Sequence, residues 1–127
     1  MSGNSYKKIY AESKEFYFKI GAVCCPAFNN ELIYFNRQGF KHLIRKGTRR
    51  RDSAEIMRRL RLFPYAVQTV RRAEKIYSYK VITRQQSTAH FWILREILHS
   101  QSRRIVIRVI IRKLNNGHIH FFSVFDE

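Results

Sequence analysis

The segment FNRQGFKHLIRKGTRRR, residues 35–51, holds one histidine, His42, inside one of the densest cationic runs of the chain. Histidine is the side chain best suited to moving protons near neutral pH. Arg45 follows three residues later and Lys46 four, so the local positive field favours a neutral imidazole that can act as a base. The same cations, with Lys41, form a surface suited to holding phosphates.

A second constellation lies in RRIVIRVIIRKLNNGHIHFFSVF, residues 103–125. Asn116–Gly117 is a strong hairpin signal. A two-residue turn there sets Arg112 opposite Phe121, Ile110 opposite Ser123 and Arg108 opposite Phe125. Alternation then puts Arg108, Arg112 and Ser123 on one face, and Val109, Ile111, Phe122 and Val124 on the other. A three-residue turn over Asn115–Gly117 instead groups the arginines with His118 and His120 and moves Ser123 across the sheet. The first register is preferred because it gathers apolar residues of both strands on one face. Arginine offers a fixed fork of donors for phosphate oxygens, and buried guanidinium groups need an anion.

The remaining histidines carry less chemistry. His90 shares strand parity with Trp92, Leu94 and Glu96, which suits a structural or edge role, and His99 falls at a strand end. His118 and His120 lack convincing further partners for a metal site. Trp92 and the tyrosines of IYSYK could stack on bases, although Trp also suits the core of a small sheet. A metal-free ribonuclease needs few groups: a base for the ribose 2′-OH, an acid for the leaving 5′-oxygen, and cations around the phosphoryl oxygens. DNA lacks that nucleophile, so catalysis without a carboxylate cluster points to RNA. Neither metal nor cofactor is expected.

The elements that must position these groups change period midway. Residues 37–46 read as a helix with Phe40, Leu43 and Ile44 on one side and Gln38, Lys41, His42 and Arg45 on the other. Asn36 suits its N-cap and Gly47 its stop. Asp52 with Glu55 fits a capping box for an arginine-rich helix in which Ile56 and Leu60 point inward. Pro64 suits the first turn of a third helix, with Ala66, Val70 and Ala73 on one face. Residues 76–83, 89–98, 104–114 and 118–126 then alternate as four strands with short connections, which implies an antiparallel meander. The fold expected is α+β, N-terminal helices packed on a four-stranded antiparallel sheet. ELIYF (31–35) suits a short strand, Pro26 with Asn29–Asn30 marks a break, and KEFYFKIGAVCC reads either as a strand or as a helix end.

Bulk properties narrow the partners. A chain of 127 residues makes one domain with room for a real core, and ten Phe and seven Tyr exclude a disordered tail. The formal charge of +16, from 25 Lys and Arg against 9 acids, calls for a polyanion, with nucleic acid the default. No stretch approaches the ~20 apolar residues of a membrane span, and no continuous apolar leader opens the chain, so a cytoplasmic location is expected. Cys24 and Cys25 are adjacent, unlike a disulfide framework or a spaced metal motif, and are expected to be reduced and partly buried.

The order ELIYFNRQGFKHLIRK, EIMRRLRLFPYA, FWILREI and RRIVIRVIIRKLNNGHIHFFSVF resembles the phage-associated and toxin members of the barnase, EndoU, colicin E5/D and RelE-like (BECR) nucleases, over roughly residues 30–126. The resemblance implies helices before a four-stranded antiparallel sheet and metal-independent RNA cleavage on the sheet face. It makes His42 the acid or base, Arg108 and Arg112 the phosphate stabilisers and Ser123 a substrate-orienting hydroxyl. Lys46 and Arg59 would bind flanking phosphates beside Lys41 and Arg45. No Glu–His pair of the barnase kind is evident, since Glu96 has no evident placement against His42. Many such proteins are toxins acting on tRNA or ribosomal RNA and held by an immunity or antitoxin partner, and an acidic inhibitor would suit this charge. The competing expectation is a non-catalytic RNA-binding or ribosome-associated module.

Overall fold

The computed structural model describes residues 3–127. Helix α1 spans Gly3–Ile20. Its Tyr6, Tyr10, Tyr17 and Ile20 fall on one side at helical spacing and pack on the core. Gly21 takes a left-handed φ of 71°, which ends the helix, and strand β1 (Ala22–Cys25) begins at once. KEFYFKIGAVCC is therefore both of the things it was read as, helix to Ile20 and strand from Ala22. A short 3-10 turn at Pro26–Phe28, followed by left-handed Asn29 and Asn30, returns the chain into β2 (Glu31–Tyr34), antiparallel to β1.

Helix α2 covers Arg37–Ile44, and the Asn36 side chain accepts a hydrogen bond from the Gly39 N–H at 3.1 Å. The cap stands as expected, but the stop does not. Residues 45 and 46 leave the helix as β3, which pairs with β4 (Arg49–Arg50), and Gly47, at φ 65°, turns that small hairpin. Helix α3 runs unbroken over Ser53–Arg72, with the Asp52 carboxylate accepting from the Glu55 N–H at 2.9 Å. Pro64 lies inside α3 rather than opening a further helix. An interior proline costs about 3 kcal/mol. Burying Leu60, Phe63, Ala66, Val67 and Val70 on either side of it contributes more, at about 1.5–3 kcal/mol for each large side chain.

Strands β5 (Ser78–Arg84), β6 (Ser87–Ser100), β7 (Arg103–Leu114) and β8 (His120–Asp126) pair antiparallel in succession. They belong to a larger sheet than the four-stranded one expected. β2 joins β8 in parallel at Tyr34 and His120, giving a mixed six-stranded sheet of order β1-β2-β8-β7-β6-β5. The fold is α+β. The parallel joint left no local trace because β2 and β8 are separated by most of the chain, whereas antiparallel neighbours carry a hairpin signal between them.

The inner face of the sheet buries Leu94, Val109, Ile111, Phe121 and Val124 in one core with Phe63, Ala66 and Val70 of α3. The β7–β8 register combines both readings. From Ile107 to Ile110 it is the one set by a two-residue turn, with Arg108 opposite Phe125 and Ile110 opposite Ser123. Beyond a bulge it shifts, so that Ile111 faces Phe121 and Arg112 faces His120. The extra residue is Phe122. It leaves the inner face to which alternation assigned it and meets Phe91 and the Arg112 guanidinium instead.

Helix α2 closes against β8 through Gly39. A Cβ added at Gly39 would stand 2.5 Å from the Phe121 carbonyl oxygen and closer still to the Tyr17 hydroxyl. Gly39→Ala is therefore expected to destabilise the fold by roughly 1–3 kcal/mol, as forced overpacking does. A lowered urea midpoint would register it, and an unchanged midpoint would refute the close approach.

Candidate nucleic-acid interface

Packing α2 on β8 brings its polar side over the end of β7. The result is a cleft of about 470 Å³ lined by Gln38, Lys41, His42, Arg45, Gly47, Arg112 and Phe122. No carboxylate lines it.

Arg112 is the best-held group in the cleft. Its guanidinium lies 4.3 Å from the Phe122 ring centroid, and one terminal nitrogen donates to the Gln38 side-chain oxygen at 2.6 Å. Its Nε lies 3.1 Å from Nε2 of His120, whose Nδ1 lies 3.1 Å from the His118 carbonyl oxygen. A carbonyl can only accept, so His120 carries its proton on Nδ1 and offers the Nε2 lone pair to Arg112. Burial, followed by the charge of Arg112, holds His120 below the usual histidine range. Among the described residues no carboxylate pairs with Arg112. Its charge is oriented, partly desolvated and left for a ligand.

His42 also packs on the Phe122 ring, 4.0 Å between centroids. It is half-buried rather than freely exposed on the polar side of α2. Its Nδ1 is enclosed with no hydrogen-bond partner, which leaves Nε2 as the nitrogen to meet a ligand. Burial first, then the charges of Arg51, Arg59, Arg112 and Lys46, pushes its pKa down to about 4. The cationic run was expected to depress this group. Desolvation by burial is the larger cause, and Phe122, set by the bulge, is one of the groups that cover the ring.

The other candidates separate. Lys41 and Arg45 line the cleft and also a neighbouring one of about 510 Å³, where Lys14, Arg37 and Arg50 surround Tyr10, Phe18 and Phe40. Lys46 is exposed on the β3–β4 hairpin beside Arg49, Arg50 and Arg51. Ser123 is enclosed at 2% exposure, and its hydroxyl accepts from Arg59 at 2.8 Å. Arg59 is itself held by the Glu55 carboxylate and the Val124 carbonyl, so the pair ties α3 to β8. Arg108 shares a sheet face with Arg112 but is bound to Glu127. Trp92 is half-buried on the inner face, against Phe28 and Tyr79, away from Arg112. Glu96 pairs with Thr69 and Arg72 on that same face, which removes it from His42. Cys25 is buried, Cys24 is exposed, and both are free.

Gln38 and Phe122 of the cleft were not singled out as functional from sequence. Gln38 stands one helical turn before His42, a spacing that could have marked it. Phe122 depends on the bulge, for which no residue pattern gave a signal, whereas the pairing of Arg112 with His120 is the one that the three-residue turn offered.

The shift at His42 has a consequence for stability. Unfolded, its pKa is about 6.5; folded, it is about 4. Between those values the unfolded chain binds the extra proton, so stability falls as pH drops from about 6.5 towards 4 and levels off below. His120, also shifted down, acts with the same sign. His42→Gln is expected to remove on the order of 1–3 kcal/mol of that fall, discounted for partial exposure, in urea titrations across the window. The native His42 ring should stay neutral to below about pH 5 by NMR, and a titration near 6.5 would contradict its enclosure.

No family model matches this chain, and no curated protein or solved structure is significantly similar to it, so the interface is read from its own side chains.

Proposed function

We propose that the protein is a metal-independent endoribonuclease of the BECR kind and that the His42 cleft is its active site. The observation that carries this reading is that a half-buried histidine with a depressed pKa and an arginine paired with no carboxylate among the described residues both pack on one aromatic ring in one cleft. Arg112, with Lys41 and Arg45, binds the scissile phosphodiester and takes up the charge that develops on its oxygens. His42 Nε2 removes the proton of the ribose 2′-OH, whose oxygen attacks the adjacent phosphorus. The P–O5′ bond breaks, Lys41 protonates the leaving oxygen, and a 2′,3′-cyclic phosphate and a free 5′-OH result. Glutamine and histidine hold Arg112 from behind, so its fork is set before substrate arrives. Structured RNA such as tRNA or ribosomal RNA, and an acidic inhibitor protein for so basic a surface, belong to the same proposal.

One observation favours a second reading. Nδ1 of His42 has no partner, and as a base at Nε2 the ring must carry its proton on that enclosed nitrogen. An unpaired buried N–H is costly. The other tautomer makes Nε2 a donor to phosphate, which suits a non-catalytic RNA-binding module.

Incubation with total tRNA and ribosomal RNA in EDTA separates the two. Wild type should give defined fragments ending in 2′,3′-cyclic phosphate, and His42→Ala should slow cleavage by about 10²–10⁴-fold, as loss of a general base does. Arg112→Ala should slow it by about 10²–10³-fold. Equal cleavage by wild type and His42→Ala sinks the role of His42. Tight binding without cleavage by either establishes the binding module.

A further inference from the structure

Outside the cleft, the open sheet face carries a second cationic centre. Arg95 of β6 and Arg108 of β7 are direct cross-strand partners, an arrangement that repels unless an anion is shared. The anion is the side chain of Glu127. Its Oε2 accepts from Arg95 Nε at 2.6 Å and from Arg108 Nε at 2.9 Å, and its Oε1 accepts from a terminal Arg95 nitrogen at 3.3 Å. Tyr77 completes the site, its ring centroid 5.3 Å from the Arg95 guanidinium carbon and 5.1 Å from that of Arg108. Two guanidinium groups that share one pair of oxygens over an aromatic ring would serve equally for the two free oxygens of a phosphodiester.

We propose that Arg95 and Arg108 form a second phosphate subsite of the nucleic-acid surface, and that Glu127 occupies it as an internal stand-in that an RNA phosphate displaces. The ligand assignment rests on the RNA reading of the His42 cleft. Position supports it. Arg108 and Arg112 project from the same face of β7 four residues apart, about 13 Å along the strand. The row between them is apolar: Ile93 pairs with Ile110 between the Arg95–Arg108 and Phe91–Arg112 pairs. Phe91, Ile93, Ile110 and Phe122, with Ser78, Lys80 and Ile82 of β5, line a groove of about 280 Å³, and Phe122 is also a wall of the His42 cleft. Phosphate at either end with an apolar floor between is what a short single strand presents when its bases turn toward the protein.

Glu127 is built to be exchanged. Arg95, Arg108 and Glu127 are each about 30% exposed as side chains (27%, 29% and 31%), and such pairs are held weakly in water. The two arginines keep the carboxyl far below its usual range, at about 2, so it leaves only by competition with another anion and not by protonation. Its backbone N–H stays on the Val106 carbonyl at 2.8 Å, so release needs only a side-chain rotation.

The test compares wild type, Glu127→Gln and a charge-matched control, Glu12→Gln on the exposed side of α1, for binding of a short single-stranded RNA at fixed salt. Glu127→Gln should bind roughly fivefold tighter, Glu12→Gln should match wild type, and adding Arg95→Ala and Arg108→Ala should abolish the gain. Pyrophosphate titrations followed at the arginine Nε–H resonances supply an arm independent of RNA. In wild type the Arg95 and Arg108 signals should move, and in Glu127→Gln they should move at lower concentration. Equal RNA affinity for the two glutamine variants overturns displacement by RNA, whatever the cleavage assay shows. Unmoved Arg95 and Arg108 signals in both proteins overturn the anion site itself. Movement with pyrophosphate but no RNA binding by any variant keeps the anion site and removes its assignment to RNA.

Discussion

The hydroxyl of Tyr17, fully buried, donates to the carbonyl of Asn36 at 2.6 Å and so fixes α1 to the first turn of α2. Its ring meets Phe35, Phe40, Phe63 and Phe121, one residue from nearly every layer of the core. Desolvation drives its phenol far above the usual tyrosine range, so the hydroxyl remains a donor at every working pH. The helix held in this way can approach β8 only because residue 39 has no side chain. Tyr17, Asn36 and Gly39 together decide where Gln38, Lys41 and His42 stand relative to Arg112. A loss at this contact would move the cleft without touching any residue in it.

Charge is distributed by the same architecture. Glu55 and Asp126 are taken up by Arg58 and Arg59, Glu96 by Arg72, and Glu127 by Arg95 and Arg108. Among the described residues none of these ion pairs reaches Lys41, Arg45 or Arg112. Surface pairs add little stability individually. Around α2 and the β3–β4 hairpin this leaves a local cluster of cations, Lys41, Arg45, Lys46, Arg49 and Arg50, in none of these pairs. An unscreened cluster of this kind strengthens steering of a polyanion and makes binding strongly salt-dependent.

Much of this was readable from residues alone. The Asn36 and Asp52 caps, the inward Ile56 and Leu60, and the last four strands follow from local patterns that act over a few residues. What was missed depends on distant partners. α1 hides its helical spacing among tyrosines that are only half apolar, and although ELIYF was read as a strand, its parallel pairing with β8 was not. Pro64 was read by its local rule, which the burial of Phe63 and Val67 overrides. The hairpin was framed as a choice between two registers, and one inserted residue satisfies both. That residue mattered most for the site. With Phe122 assigned to the core, His42 had no surface to be buried against, and Ser123 stood in the place that Phe122 holds beside Arg112.

The two causes of the low His42 pKa differ in kind, and the difference bears on what the cleft can do. Burial against Phe122 is built into the fold and persists whether or not a ligand is present. The contributions of Arg51, Arg59, Arg112 and Lys46 are electrostatic, and a bound phosphate would offset them. An anion entering the cleft therefore raises the proton affinity of His42 from a depressed starting point towards the range in which proton transfer is efficient at neutral pH. Placing the ring on Phe122 within reach of four cations makes its proton affinity responsive to any anion that would enter the cleft, which is a property of the arrangement rather than of any one of its residues.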